Sequence, residues 1–113
     1  MRNFSEALTY VLVNTNIDPK KKDLTFPMVL TDEFMQTTVR EMALSERAKN
    51  VLGRNKVWTM GDLQKRIDEV EKFRNCGKST VKEIKSKFMQ KWYEMLPEKE
   101  VTNFWEEFIT VNS

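Results

Sequence analysis

The chain has 113 residues, with 19 Lys and Arg, 17 Asp and Glu, one Cys and no His. This length suits one domain with a single core, and 40% apolar with 32% charged residues is typical of a folded protein. The missing histidine excludes Ser-His-Asp and Cys-His nucleophile systems, and also zinc sites built on imidazole.

Cysteine content and hydropathy indicate the compartment. The single cysteine, Cys76, has no partner for an internal disulfide, which points to a reducing environment. No apolar run approaches the roughly 20 residues that a membrane-spanning helix needs, so we expect no membrane association. The N-terminus offers only Arg2 before an apolar stretch that Glu6 interrupts, which makes it a poor signal peptide. These features predict a cytoplasmic protein.

The charges are distributed unevenly along the chain. Residues 1–40 are balanced, residues 41–96 carry thirteen basic and eight acidic side chains, and residues 97–113 carry one basic and four acidic. Clustered basic charge attracts polyanions, of which nucleic acid is the commonest. On charge alone, two interpretations of the basic middle stay open: a nucleic-acid interface, or an ordinary solvated helical surface.

The first 40 residues are predicted to add helical segments to the domain. One predicted helix has apolar residues at the i, i+4, i+7 and i+8 spacing of a buried face: Phe4, Leu8, Val11 and Leu12. Residues 14–23 are predicted to form a loop, because they contain a proline and three consecutive lysines. Thr31 is suited to cap a helix that extends to about residue 42. We expect residues 1–40 to form an N-terminal extension that packs on the domain.

Capping residues mark two further helices. Ser45 is suited to cap a helix over residues 46–54, and Gly53 near its end suggests a C-terminal stop. Thr59 is followed three residues later by Asp62, which resembles the capping box at the start of a helix.

A tight turn and a long helix follow. Asn75-Cys76-Gly77 predicts the turn, because Asn and Gly both tolerate positive φ, and the longest helix is expected over residues 78–96. Residues 97–113 predict an amphipathic C-terminal helix. The fold class is therefore all-α, with a domain over residues 41–96 and the two terminal segments forming one globular unit with it.

Large apolar side chains are expected mainly in the core. The helical spacing of the three tryptophans favours core positions over base stacking: Trp58, Trp92 and Trp105. The C-terminal helix carries a wide apolar stripe: Phe104, Trp105, Phe108 and Ile109. This stripe is expected to pack back on the domain, with a dimer contact or a partner's groove as the alternative.

The Gly77-Lys78-Ser79-Thr80 tetrapeptide resembles the end of a phosphate-binding P-loop, but the rest of that motif is absent. A P-loop needs a glycine at position 72, which is Lys72, and a preceding buried strand. We therefore exclude nucleotide hydrolysis. The remaining features predict a turn that leads into a helix N-terminus, whose backbone N–H groups suit a nucleic-acid phosphate. An ordinary capped helix is the alternative.

Three short motifs carry a family resemblance. They are Leu-Ser-x-Arg-x-x-Asn-x-Leu at residues 44–52, Gly-Asp-Leu at 61–63, and Asn-x-Gly-Lys at 75–78 followed by Glu-Ile. In order and spacing, residues 44–88 resemble the C-terminal domain of the bacterial RNA polymerase alpha subunit. The resemblance implies a helical fold with a helix-hairpin-helix element. It also implies binding to the minor groove of A·T-rich DNA, and contacts with transcription activators and the promoter-recognition factor.

The same resemblance implies a set of DNA-binding residues. Arg47 matches the arginine that enters the minor groove, and Asn50 matches the polar residue beside it. The hairpin and its surface supply the others: Gly77, Lys78, Ser79, Thr80 and Glu83. Ser79 stands where many members have a second lysine, and Val51 where many have cysteine. The basic residues that are candidates to replace the missing charge are Arg54, Lys56, Lys82 and Lys85.

The function predicted from these residues is DNA binding in bacterial or phage transcription regulation, by a small stand-alone protein. The expected partners are A·T-rich duplex DNA and RNA polymerase or a transcription factor, and a homodimer is left open. The alternative is a protein-interaction adaptor that keeps the fold without DNA binding. No enzyme activity, cofactor or metal site is expected. Convergence of Arg47, Asn50 and the residue 77–80 turn on an open basic face favours DNA binding over the adaptor.

Overall fold

The structure is a computed structural model that describes residues 2–113. These residues form six α-helices: α1 (Phe4–Val13), α2 (Asp32–Gln36), α3 (Glu46–Arg54), α4 (Met60–Lys65), α5 (Lys78–Met95) and α6 (Glu98–Asn112). Two 3-10 helices, Val39–Glu41 and Ile67–Lys72, lie between them. Within this described part there is no strand, only an isolated antiparallel bridge between Thr38 and Thr59. The predicted all-α class is confirmed.

The protein divides into two compact units. Unit 1 comprises the described residues up to Val29 together with Tyr93–Ser113, and unit 2 comprises Leu30–Trp92. Helix α5 contributes to both. This division differs from the ranges that the sequence suggested, because residues 30–40 belong to unit 2 and not to an N-terminal extension.

Residues 30–40 join unit 2 through direct packing and hydrogen bonds. Phe34 is 1% exposed, and its ring meets the ring of Phe88 edge-on with centroids 5.6 Å apart. Helices α2 and α4 approach so closely that a Cβ at Gly61 would lie 3.0 Å from the carbonyl oxygen of Met35. A side chain at position 61 would therefore require the neighbouring backbone of α2 to shift by a few tenths of an ångström.

Helix α2 is shorter than its capping signal predicted. Thr31 caps it as expected, with its Oγ accepting the Phe34 N–H at 3.1 Å, but the helix ends at Gln36 rather than near residue 42. Thr37 has an extended backbone, and its carbonyl accepts the Met60 N–H at 2.7 Å. The backbone leaves the helix because α4 supplies this alternative partner.

Helix α3 ends at Arg54, one residue after Gly53, as the sequence predicted. Lys56 takes the left-handed conformation, with φ of 59°. Its N–H donates to Gly53, and the Val57 N–H donates to Leu52, at 3.1 and 2.9 Å. This is the hydrogen-bond pattern of a Schellman motif, in which the flanking apolar pair packs together. Leu52 and Val57 are both fully buried.

Unit 1 is built around an aromatic cluster. The Phe4 ring lies 5.4 Å from the Tyr93 ring and 5.8 Å from both Phe26 and Trp105. Phe26 also stacks on Phe108 at 5.4 Å. The C-terminal stripe thus packs within unit 1, where Trp105 meets Phe4 and Phe108 meets Phe26.

Helix α1 buries less of its apolar face than its spacing predicted. Of that face, only Phe4 is fully buried, whereas Leu8, Val11 and Leu12 are half-buried.

None of the helices over residues 2–113 combines the length and hydropathy needed to cross a lipid bilayer.

Candidate nucleic-acid interface

The N-terminus of α3 is held by a residue from α5. The Ser45 Oγ accepts the Ala48 N–H at 3.2 Å, which caps α3 as predicted. Ser45 itself donates to the carboxylate of Glu83, from its backbone N–H at 2.6 Å and from its hydroxyl at 2.8 Å. Glu83 therefore positions the end of α3 that carries Arg47. It also places negative charge near the positive end of the α3 dipole.

The turn before α5 is tight, but only one of its residues needs positive φ. The Cys76 N–H donates to the carbonyl of Phe73 at 3.2 Å, and Asn75 between them has φ of 63°. Gly77 has no positive φ, and a Cβ there would have no neighbour within 4 Å. The glycine is thus not required by the fold of the free protein. Its carbonyl accepts the Val81 N–H at 3.0 Å, so α5 begins directly after a residue without a side chain.

Within unit 2, helix α3 and this turn enclose a concavity with a volume of about 760 Å³. Helix α3 contributes Arg47, Asn50, Val51 and Arg54, and the turn contributes Phe73, Asn75, Cys76 and Gly77. Buried Val51 and Phe73 form its apolar floor, whereas both arginines are exposed. No acidic side chain lines it. This concavity combines positive charge with open access, which suits a polyanion.

The structure separates the predicted site residues into groups. Arg47, Asn50 and Gly77 meet at the concavity. Lys78 and Ser79 are exposed in the first turn of α5 but do not line it.

The remaining two predicted residues have other environments. Thr80 is 3% exposed, so its side chain belongs to the core. Glu83 is engaged with Ser45.

One contributor was named only as a candidate and another was missed. Arg54 lines the concavity, seven residues after Arg47 and so on the same helix face. That i, i+7 spacing was the available signal. Asn75 also lines it, and was interpreted only as a turn residue. Among the other candidates for replacing the missing charge, Lys85 forms an ion pair with Glu71 instead.

The turn carries the one cysteine of the sequence, Cys76. Burial raises the pKa of the Cys76 thiol, which opposes the thiolate form despite the neighbouring Arg74 and Lys78. Over residues 2–113, no three His, Cys, Asp or Glu side chains are grouped closely enough to hold a metal ion.

Comparison with known proteins identifies the family. The family model for the C-terminal domain of the bacterial RNA polymerase alpha subunit matches residues 29–90, more than half of the sequence. The protein belongs to this family. Among its relatives, the DNA-directed RNA polymerase subunit alpha of Syntrophomonas wolfei is 37% identical over 60 residues, which are 52% of this sequence and 19% of that protein. The same subunit of Fervidobacterium nodosum is 36% identical over 62 residues, which are 54% of this sequence and 19% of that protein.

The alpha C-terminal domain match agrees with the division of the structure. It spans residues 29–90, and unit 2 spans Leu30–Trp92. The concavity thus lies inside the alpha C-terminal domain, whereas unit 1 lies almost wholly outside the matched range. The matched region spans about a fifth of the length of these curated relatives. No solved structure matches the protein significantly.

Proposed function

We propose that this alpha C-terminal domain protein binds duplex DNA through the concavity between α3 and the residue 73–77 turn. One observation carries the proposal. Arg47, Asn50 and Gly77 are separated by up to 30 residues in sequence, yet they line one surface with Arg54 and no acidic side chain. Basic, acid-free concavities attract the phosphate backbone, which supplies most of the affinity for DNA.

Within this site, we assign Arg47 to the minor groove of A·T-rich DNA. Arg47 is exposed, and within residues 2–113 it forms no ion pair that would have to be broken on binding. A narrow A·T-rich minor groove concentrates negative potential, so an inserted arginine gains electrostatic energy without reading a base code. Asn50 lies one turn further along α3, within reach of the same groove.

We assign the start of α5 to the DNA backbone. The first-turn amides of α5 have no intrahelical acceptor, and the helix dipole is positive at this end. Gly77 leaves space for a phosphate oxygen to approach these amides, and exposed Lys78 and Ser79 stand beside them. Glu83 acts as a positioning residue through Ser45, whereas the Thr80 side chain is buried.

The relatives are subunits of DNA-directed RNA polymerase. We therefore propose that DNA binding by this protein serves transcription, with polymerase or a transcription factor as a partner. Supporting this, the matched range contains the whole concavity. This partner is tested by mixing the purified protein with polymerase and an A·T-rich promoter fragment, where we expect all three to elute together. If the protein elutes separately from polymerase with every promoter fragment tried, the proposed partner is wrong.

The site is tested by titrating a fluorescent A·T-rich duplex with wild type, Arg47→Ala and Lys65→Ala at low and at physiological salt. Lys65 is exposed on α4, outside the concavity, and its loss changes the net charge equally. We expect Arg47→Ala to weaken binding by about tenfold and to flatten the salt dependence by about one unit. Lys65→Ala should stay within about twofold.

Two outcomes contradict different parts of the proposal. If wild type does not bind at low salt, or if the two variants behave alike, the concavity is not the DNA site. If a G·C-rich duplex of equal length binds as tightly as the A·T-rich one, the assignment of Arg47 to the minor groove fails while DNA binding stands.

A further inference from the structure

Trp58 lies on the surface of unit 2, although its spacing predicted a core position. It is 56% exposed, whereas Trp92 is 1% exposed. Its backbone is held on both sides, with the N–H donating to Asp62 at 3.0 Å and the carbonyl accepting the Val39 N–H at 2.9 Å. An exposed tryptophan on a backbone that is held in place is typical of a binding hot spot.

Gly53 keeps the space beside this ring open. A Cβ at Gly53 would lie 3.7 Å from the Trp58 ring, an ordinary van der Waals contact, and Gly53 has no positive φ. Glycine is a poor helix former, and the fold does not need one at this position in α3. Its effect is to leave a groove where a longer side chain would cover the indole.

The groove has an apolar floor and a cationic rim. It encloses about 560 Å³, and its floor is formed by Val39, Gly53, Val57 and Trp58. Its rim carries three cations, Arg40, Lys49 and Arg54, and no acidic side chain lines it. Lys49 makes a 3.6 Å ion pair with Glu46 on the solvent side, where both are exposed. Arg40 and Arg54 form no ion pair within residues 2–113.

This chemistry favours a protein segment over DNA. Duplex DNA presents phosphates and base edges, and it has no apolar side chain to fill a floor of Val39 and Val57. An acidic peptide with an aromatic or aliphatic residue complements both the apolar floor and the cationic rim. Its apolar side chain contacts Trp58, and its carboxylates pair with the cations. We propose that the groove beside Trp58, which goes beyond the DNA site, binds such an acidic segment of a partner protein.

The probe is a synthetic peptide, acetyl-Asp-Asp-Phe-Asp-Asp-Leu-Asp-amide, titrated into the whole ¹⁵N-labelled protein without DNA. Two matched peptides serve as controls, one with Ser in place of Phe and Leu, the other with Lys in place of Asp. We expect the first peptide to shift the Trp58 indole and Gly53 amide signals, with no saturable shift from either control. Absence of these shifts, or equal binding of a control peptide, overturns the proposal.

Three variants test the groove itself. Gly53→Leu fills it and Trp58→Ala removes its ring, so both should weaken peptide binding by at least about fivefold. Gly53→Ala, the matched control, should stay within about twofold. Thermal unfolding checks that each variant is folded. If Trp58→Ala does not fold, Gly53→Leu still decides the test. Unchanged binding by folded Gly53→Leu overturns the proposal.

The DNA site and this groove share Asn50 and Arg54, so the two proposals need separate readouts. Trp58→Ala should bind the A·T-rich duplex as wild type does. If it weakens duplex and peptide binding alike, the groove belongs to the DNA footprint and the acidic-segment proposal fails. If the duplex does not bind at all, the peptide titration still decides the groove.

Discussion

At the scale of single residues, Gly77 is a position that the folded protein leaves free of conformational and steric constraint. Its φ is not positive, and a methyl group there would have no neighbour within 4 Å. The space that the missing side chain leaves lies on the outer surface, at the start of α5. Only an approaching ligand would sense a side chain at this position.

We therefore predict that Gly77→Ala separates binding from stability. The thermal midpoint should be unchanged or slightly higher, because alanine restricts the unfolded state more than glycine does. Affinity for the A·T-rich duplex should fall by about 1 kcal/mol, or about fivefold, since the methyl group keeps a phosphate from the backbone amides. Anisotropy titration and thermal unfolding of the same samples check both. Unchanged affinity would remove the start of α5 from the DNA site.

At the scale of elements, α3 and α5 are joined at the N-terminus of α3, where the proposed DNA site begins. Glu83 from α5 accepts both hydrogen bonds of Ser45, and Ser45 caps α3. Hydrogen bonds to a charged group are worth about 1.5–3 kcal/mol when solvent is excluded, and less at this partly exposed site. The position of Arg47 thus depends on a contact between residues 38 apart.

We predict that Glu83→Ala lowers the free energy of unfolding by about 1 kcal/mol and weakens DNA binding through the displaced α3 end. Glu83→Gln keeps an acceptor for Ser45 and should recover most of both losses. Urea unfolding and duplex titration of the pair measure this. Normal stability with reduced affinity in Glu83→Ala would show that the carboxylate acts on DNA directly, contrary to a positioning role.

Helix α4 provides an element-scale prediction on pH. Its capping box is complete, with Thr59 accepting the Asp62 N–H and the Asp62 carboxylate accepting the N–H groups of Trp58 and Thr59. These backbone hydrogen bonds lower the pKa of Asp62 below its ordinary value. Because the pKa of Asp62 is lower in the folded state, its ionised carboxylate stabilises the fold at any pH above the pKa of the unfolded state. This stabilisation is lost as the pH falls through the pKa of the folded state.

Stability should therefore decrease below about pH 4, and part of that decrease should be absent in Asp62→Asn. At neutral pH the variant should be less stable than wild type by about 0.5–1 kcal/mol. Urea unfolding at neutral pH and at about pH 3 gives the comparison. An equal loss of stability in both proteins between these pH values would assign the acid sensitivity to other carboxylates.

At the scale of the whole molecule, charge divides by unit. Unit 2 carries fourteen Lys and Arg against nine Asp and Glu, whereas unit 1 carries five against eight. The near-neutral total therefore combines a basic unit that suits a polyanion with an acidic one that does not. The family match falls on the basic unit.

Unit 1 has its own cohesion, in which the buried Asn112 ties the loop at Thr25 to α6. Its amide oxygen accepts the Thr25 N–H at 2.8 Å, and its nitrogen donates to the carbonyls of Thr25 and Phe108, both at 2.7 Å. Asn112→Ala should cost about 1–3 kcal/mol and speed hydrogen exchange at the Thr25 amide. Asn103→Ala, at an exposed position of the same helix, is the control. Equal exchange in both variants would contradict this role.

The sequence by itself determined the features that depend on near neighbours. Thr31, Ser45 and Thr59 marked three helix starts, because a cap needs only its own helix's first turn. The family motifs located Arg47 and Gly77 for the same reason, since each motif is short and keeps its spacing.

Tertiary structure decided the features that depend on distant contacts. The early end of α2 follows from the hydrogen bond between the Met60 N–H and the Thr37 carbonyl. The positioning role of Glu83 follows from its hydrogen bond with Ser45. Exposure of Trp58 contradicts the core position that helical spacing predicted, and the family pattern did not show that the Thr80 side chain is buried. Spacing identifies the side chains that share a helix face, but the elements packed on that face determine whether it is covered. Only the folded protein therefore shows the concavity between α3 and the residue 73–77 turn, and the groove beside Trp58.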